Sequence, residues 1–301
     1  MGRIRHVQMY SDKVLQKQTF VLLSDLHLAE GKGKEHIIQL VREHHIPYHE
    51  VTKILLLGDI VNDASALEKK SFQKEVIEAM ELLTQKVPTV WIPGNHDQMQ
   101  RKNHKWWLSS LIPLKITLSK IHHFTMLDNR QTILTEGNVK IGTFPLPYSY
   151  YEEQGEDMLA FHHLFYQEAQ RDIFTKDTFN MMLMHTPNGY MQCSHVVGES
   201  IVPHTDVALF GHMHNGICLD FLAPYFKNRG FISPQRTLFP NYAQGITSIG
   251  DTTCIINGPI NSMVTCPIVN QLLGPHMTVL TIEKTHEKRK TKVWVENRKG
   301  R

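Results

Sequence analysis

The stretch LFGHMHNG, residues 209–216, sets two histidines one residue apart at the end of an apolar run and between two glycines. Packing alone gives no reason for imidazole twice in three positions. The same ending recurs along the chain. Asp25 and His27 close FVLLSDLH, Asp59 closes KILLLGD, and Asn95, His96 and Asp97 close TVWIPGNHD. His185 closes FNMMLMH, and His212 and His214 close DVALFGHMH. One such ending reads as a capped turn or a core histidine. Five do not, because no packing rule asks for carboxylate, amide or imidazole at every strand end.

Residues two apart in an extended segment point the same way, so Asp25/His27 and His212/His214 can each aim two donors at one locus. Leu26 and Met213, between them, then face the core. Gly58, Gly94 and Gly211 suit tight turns and close backbone approach. Donors this dense exceed the needs of one ion. Two divalent cations sharing a bridging carboxylate use them fully; such pairs lie roughly 3.5–4 Å apart and clamp the attacking and leaving oxygens of a phosphoryl displacement. Nitrogen and oxygen ligands without thiolate suit Mn, Fe, Zn or Ni better than Mg or Ca, with Mn favoured.

The elements that must position these groups are strand-length and continuously apolar, as strands buried on both faces are. Between the early ones, residues 35–45 and 66–86 carry apolar side chains near i, i+3, i+4 and i+7, the helical period. Alternating strands and helices predict an α/β core, with ligands held beyond the carboxyl ends of the strands. The later half is more β-like: QTILTE, NVKIGTF, a Gly/Pro-punctuated stretch over 230–275, then HMTVLTIE and KVWVE. With no repeat or linker visible, residues 1–301 are expected to form a single domain, with 283–301 a basic C-terminal strand and tail.

Composition narrows the classes. A formal charge of +3 does not by itself call for a polyanionic partner. Cys193, Cys218, Cys254 and Cys266 lack close or CxxC spacing, which argues against a disulfide framework and for a reducing compartment. No run approaches the roughly eighteen apolar residues of a membrane span, and the first residues lack an apolar signal region. The expected location is cytoplasmic, with peripheral contact at a membrane as an added possibility. Of the 19 histidines, His44, His45, His122, His123, His162, His163, His195, His204 and His276 read as surface or loop residues. Arg229 and Arg236 are candidates for phosphate contact.

DLH, GD, GNHD, an isolated His after an apolar strand, and GHMH, in that order over residues 25–214, resemble the calcineurin-like metallophosphoesterase superfamily. The resemblance implies a two-sheet α/β sandwich flanked by helices, with a dimetal site at the loops above the strands. It makes Asp25, His27, Asp59 and His214 ligands of one metal, with Asp59 bridging to a second completed by Asn95, His185 and His212. His96 becomes the group that protonates the leaving oxygen or stabilises the developing charge, Asp97 orients its ring, and a water between the cations is the nucleophile. Many members carry an acidic residue three positions after the bridging aspartate. Here the run is GDIVND, so Asn62 holds that place and Asp63 follows; which of them supports the site stays open.

HTPNGY, FGHMHNG, ISPQRTLFPNYAQGI and IINGPIN further resemble a bacterial branch of small phosphodiesterases, similar to UDP-diacylglucosamine pyrophosphatases. The expected reaction is hydrolysis of a phosphodiester or pyrophosphate in a small-molecule or lipid substrate. RKNHKWWLSSLIPLKITL (101–118) and ICLDFLAPYF (217–226) border the site and could approach a lipid tail or membrane, or pack on the domain. A DNA-repair-type nuclease is an alternative, disfavoured by the absence of a concentrated basic groove. A metal-binding scaffold without catalysis is another, disfavoured by the presence of His96.

Overall fold

The computed structural model describes residues 3–32, 35, 37–38, 46–102, 105–127, 131–135, 137–143, 173–219, 222–233, 237–261, 276–287 and 289–297. The readings placed on His44, His45, His162, His163, Arg236 and Cys266 fall outside these residues. So does most of the 35–45 helix, of which Glu35, Ile37 and Ile38 are described and helical.

Each of the five apolar runs forms a buried strand. Two packed sheets collect them, as the α/β sandwich reading requires. The first sheet uses β1 (Arg3–Ser11), β2 (Gln18–Leu23), β3 (Lys53–Leu56), β4 (Thr89–Trp91), β7 (Phe124–Met126), β14 (Met277–Lys284) and β15 (Lys292–Asn297), in the order β15-β1-β14-β2-β3-β4-β7. The second uses β8 (Gln131–Leu134), β9 (Val139–Thr143), β10 (Phe179–Met184), β11 (Val207–Phe210), β12 (Gly245–Ile249) and β13 (Thr252–Ile256), in the order β12-β13-β11-β10-β9-β8. Strands β2, β3 and β4 run parallel, as do β9, β10, β11 and β13, so their carboxyl ends share one edge of each sheet.

Side-chain alternation divides the core into layers. Phe20, Leu22, Leu55, Met181, Leu183, Val207 and Leu209 point inward and join the two sheets. Val21, Leu23, Ile54, Leu56 and Trp91 point outward beneath the helix α1 (Lys70–Thr84). Its buried face, Phe72, Val76, Ala79, Met80 and Leu83, keeps the helical period. On the far side, Met182, Met184, Ala208 and Phe210 lie beneath α3 (Asn188–Val197), through Tyr190 and Met191. Burying each such side chain contributes about 1.5–3 kcal/mol.

Three elements differ from the sequence reading or go beyond it. The 66–86 helix begins later, because Asp63 accepts the N–H of Ser65 and starts a 3-10 turn over Ala64–Glu68 first. Residues 101–118, for which no elements are predicted, lie in a hairpin and a helix: β5 (Met99–Lys102) and β6 (Lys105–Leu108) pair antiparallel ahead of α2 (Ile112–Leu118). The basic N-terminal stretch is the inner strand β1. Its Arg5 is buried because its guanidinium donates to the Ile256 carbonyl at 2.9 Å, tying the two sheets together. Strand β15 lies antiparallel to β1 at the sheet edge.

Candidate metal centre

The loops leaving β2, β3, β4, β10 and β11 meet at the shared carboxyl edge, and backbone bonds lace them. Asp25 N–H donates to Gly58 O at 3.1 Å, His27 N–H to Asp59 O at 3.0 Å, and Gly211 N–H to His185 O at 3.0 Å. The two sheets join where His212 N–H donates to Asp25 Oδ2 at 3.1 Å.

All nine residues singled out come together. Asp25, His27 and His214 offer one set of converging donor atoms, and Asp59, His185 and His212 offer another. Asn95 joins the second set, its Oδ1 3.1 Å from His185 Nε2. Asp59 touches both, its Oδ2 3.3 Å from His185 Nε2 and 3.8 Å from His27 Nε2. His96 also lies close enough to Asp59 and His27 to be a ligand in a third grouping.

The geometry that brings the pairs together is not an extended one. Asp25 (φ 56), His27 (φ 45), Asp59 (φ 56), His212 (φ 67) and His214 (φ 48) are all left-handed. Each such residue costs of order 1–3 kcal/mol. Leu26 and Met213 do face the core, both 1% exposed. The pairs aim together because a left-handed residue recurs two positions on.

Glycines admit the close approaches. A Cβ on Gly94 would fall onto the Asp59 carboxylate, and one on Gly58, itself at φ +94, would fall onto the His185 ring.

The expectation that Asp97 orients the His96 ring is corrected. Asp97 Oδ2 accepts the N–H groups of Asp59 and Gly94, each at 2.9 Å, and Oδ1 those of Ile60 at 2.8 Å and Val61 at 3.1 Å. It holds the backbone of the Asp59 loop. The His96 ring instead has Nδ1 2.8 Å from the Asn62 carbonyl, and its backbone N–H donates to Asp59 Oδ1 at 2.8 Å. The open choice between Asn62 and Asp63 resolves by function: Asn62 serves through its main chain, while Asp63 caps the 3-10 turn and accepts Arg101 N–H.

One contributor escaped the sequence reading. The sixth apolar run, TTCII, also ends in an amide, Asn257, which is buried and donates to Ser24 Oγ at 3.3 Å. The following turn returns Asn261 N–H to the Asp25 carbonyl at 3.1 Å. The strand-end rule applied to that run would have found it.

The proton inventory asks for cations. His185 donates through Nδ1 to Leu57 O at 2.6 Å, so in its neutral form Nε2 carries only a lone pair. Facing that lone pair are Asn95 Oδ1, Asp59 Oδ2 and His212 Nδ1 at 3.1, 3.3 and 3.2 Å. On the other side His27 Nε2 and His214 Nε2 are 3.3 Å apart, and the buried Asp25 Oδ1 faces His214 Nε2 at 3.4 Å without a well-formed hydrogen bond. Acceptors converge with too few protons between them.

Electrostatics agree. Burial pulls the His185 imidazole down, but Asp59 and then Asp25 outweigh it and lift its pKa to about 9. Burial and the neighbouring His185 push His212 down to about 3, and burial pushes His27 down to about 4 despite Asp59. Burial opposes ionisation of Asp59, yet His185 holds it well below the usual carboxylate range. These groups want positive charge but have room for few protons, and a pair of divalent cations fits that demand.

The sequence profile of the calcineurin-like phosphoesterase matches residues 18–216. The chain belongs to that family. The matched span of this phosphoesterase runs from the first residue of β2 to Gly216, just past His214, and so holds all nine residues. No curated protein matches the sequence. Among solved structures, a dimetal phosphatase from Danio rerio is similar at 12% identity and TM-score 0.44, over 82% of this chain and 89% of that one. The phosphopantetheinyl hydrolase of Mycobacterium tuberculosis is similar at 11% identity and TM-score 0.42, over 81% and 91%. A purple acid phosphatase from yellow lupin seeds is similar at 11% identity and TM-score 0.43; 92% of this chain covers only 55% of that longer protein.

Proposed function

We propose that this phosphoesterase hydrolyses a phosphodiester or pyrophosphate bond. In this reading Asp25, His27, Asp59 and His214 hold one divalent cation, and Asp59, Asn95, His185 and His212 hold a second. The observation that carries it is the convergence of lone pairs around His185 Nε2 and Asp25 Oδ1, which protons alone do not satisfy. When bound, two such cations supply Lewis acidity toward phosphoryl oxygens and lower the pKa of a water. Oxygen and imidazole donors without thiolate favour Mn among the candidates, with Fe, Zn and Ni behind it.

The chain's own groups do the rest. Asp59 keeps its shared carboxylate in place through the His96 N–H on Oδ1. The Asn62 carbonyl fixes the His96 ring by accepting from Nδ1, so Nε2 becomes the atom that gives a proton to the departing oxygen. Edge-on contact with the His27 ring, centroids 4.7 Å apart, sets its tilt. Asp97, reassigned from ring orientation, acts as a positioning residue for the loop that carries Asp59.

We extend the proposal to a substrate with a lipid portion, met at a membrane surface. From Gln98 to Leu127 the chain has no acidic residue, while Arg101, Lys102, Lys105, Lys115 and Lys120 are basic. The hairpin springs from the His96 turn and exposes Trp107 (54%) and Leu108 (55%); α2 exposes Ile112 and Ile116. Trp with Lys at an exposed apolar edge favours an anionic interface. No helix among the described residues is long and apolar enough to cross a membrane, so such contact would be peripheral.

The test offers Mn²⁺-loaded protein bis-p-nitrophenyl phosphate, single-stranded DNA and a UDP-linked lipid analogue. Turnover of the diester and the lipid analogue supports the reading. Cleavage of DNA alone would make the protein a nuclease. Metal binding with no turnover would make it a scaffold.

A further inference from the structure

We infer that a second ligand site, for a phosphate-type anion carried on a flat ring, lies on the outer side of the second sheet. A cavity of about 770 Å³ opens there between α3, β12 and the segment after the GHMHNG loop. Its volume falls in the range of small-molecule sites, about 300–1,000 Å³. His195, Lys227 and Arg229 line it, and none of the lining among the described residues is acidic. Among the described residues, none of these three side chains has an ion-pair or hydrogen-bond partner. Three basic groups gathered in one cavity are arranged for an anion. Tyr225, 83% exposed, and Tyr242 supply ring faces in the same cavity.

The cations stand on a fixed backbone. Asn228 O accepts Ala243 N–H at 2.7 Å, and Arg229 O accepts Gln244 Nε2 at 2.8 Å. Gly230 is packed so tightly on Gly216 that neither could carry a Cβ, and Gly216 O accepts the N–H groups of Phe231 and Ile232. Lys227 itself is held at φ 52, ψ −117, a conformation L residues rarely adopt. Such strain persists only where the surroundings impose it, and it clusters at ligand sites. Gly216 lies two residues beyond His214, so the same loop supports both sites. The inference does not rest on the proposed hydrolysis.

Phenylphosphonate, which joins a ring to an unhydrolysable anion, is the probe. It would be titrated calorimetrically into metal-loaded full-length protein, beside methylphosphonate and benzyl alcohol. Wild type is expected to bind two phenylphosphonates, one at the metal centre and one that a His195→Gln/Lys227→Gln variant binds at least tenfold more weakly. Tyr225→Ala should weaken phenylphosphonate severalfold and leave methylphosphonate unchanged. Benzyl alcohol should not bind. The double variant should turn over bis-p-nitrophenyl phosphate at the wild-type rate, since its substitutions are exposed and distant in role from the metal ligands. Unchanged phenylphosphonate affinity in the double variant would overturn the site. So would a matching loss of diester turnover, which would assign His195 and Lys227 to the metal centre. Failure of wild type to cleave the diester would sink the hydrolase reading while leaving this one standing.

Discussion

Asp97 Oδ2 accepts the backbone N–H of Asp59 at 2.9 Å, so one buried carboxylate sets the main chain from which another reaches the metal centre. With Gly94, Ile60 and Val61 also donating, four amides depend on Asp97. Each buried N–H left unpaired costs about 1–3 kcal/mol. Asp97→Ala is expected to lower the stability of the metal-free protein by at least about 3 kcal/mol and to weaken metal binding with it. Asp97→Asn turns an NH₂ toward two of those amides and should behave nearly as badly. Thermal unfolding with and without Mn²⁺ checks both. Equal melting temperatures for wild type and Asp97→Asn would refute the positioning role.

His96 and Asn62 separate chemistry from support. Removing the His96 ring leaves the proposed ligands intact, so His96→Ala should keep both metals and lose about 10²–10⁴-fold in turnover. Asp59→Asn removes the shared charge and should lose metal instead. Because the ring is held by the Asn62 carbonyl and not by its amide, Asn62→Ala should stay within about twofold of wild type in kcat. Metal content by elemental analysis, alongside diester kinetics, distinguishes the three. A fully active His96→Ala would remove the proton donor from the mechanism.

The strand endings made the site legible, since Asp25, His27, Asp59, Asn95, His185, His212 and His214 each terminate an apolar run that had to be a buried strand. Their backbone was not legible. Alternation in an extended chain and recurrence of left-handed residues both put positions i and i+2 on one side, and only φ distinguishes them. The resemblance assigned Asp97 to the His96 ring, whereas the amides it serves belong to residues 59–61 and 94, which no local pattern in the sequence brings to it. Strand β1 went unread because Arg5 looks like surface until the Ile256 carbonyl is brought across from the second sheet.

Metal affinity should rise steeply with pH between about 7 and 9. The metal-free site holds a proton on His185, whose pKa is lifted to about 9 against burial by Asp59 and Asp25. A cation must displace that proton. His27 and His212, held down to about 4 and 3, are already neutral and release nothing in this window. For stability the sign follows: a histidine raised in the fold stabilises fully below its ordinary value of 6.5 and loses that contribution as pH climbs through about 9. Asp97, raised to about 7 by burial and by Asp59, adds a loss in the same direction between 3.8 and about 7. Chelator-treated protein should therefore melt lower at pH 9 than at pH 6.5, and Mn²⁺ should narrow the gap. Calorimetry in buffers of different ionisation heat should count about one proton released at pH 7.5. No proton release would mean that His185 is not displaced by the metal.

Gly94 tests whether the loops must touch at all. An added methyl there meets the Asp59 carboxylate and backbone nitrogen, and the flexible end of a side chain is not what stands in the way. Gly94→Ala is expected to push the Asp59 loop aside, lose metal and lower the melting temperature. Gly31, at φ +76 and with open space for 4 Å around the position a methyl would take, provides the contrast. Gly31→Ala meets only the left-handed backbone cost of roughly 1–2 kcal/mol and should keep its metals and its turnover. If both variants melted alike and bound Mn²⁺ alike, close contact between the β3 and β4 loops would not be what holds Asp59 in position.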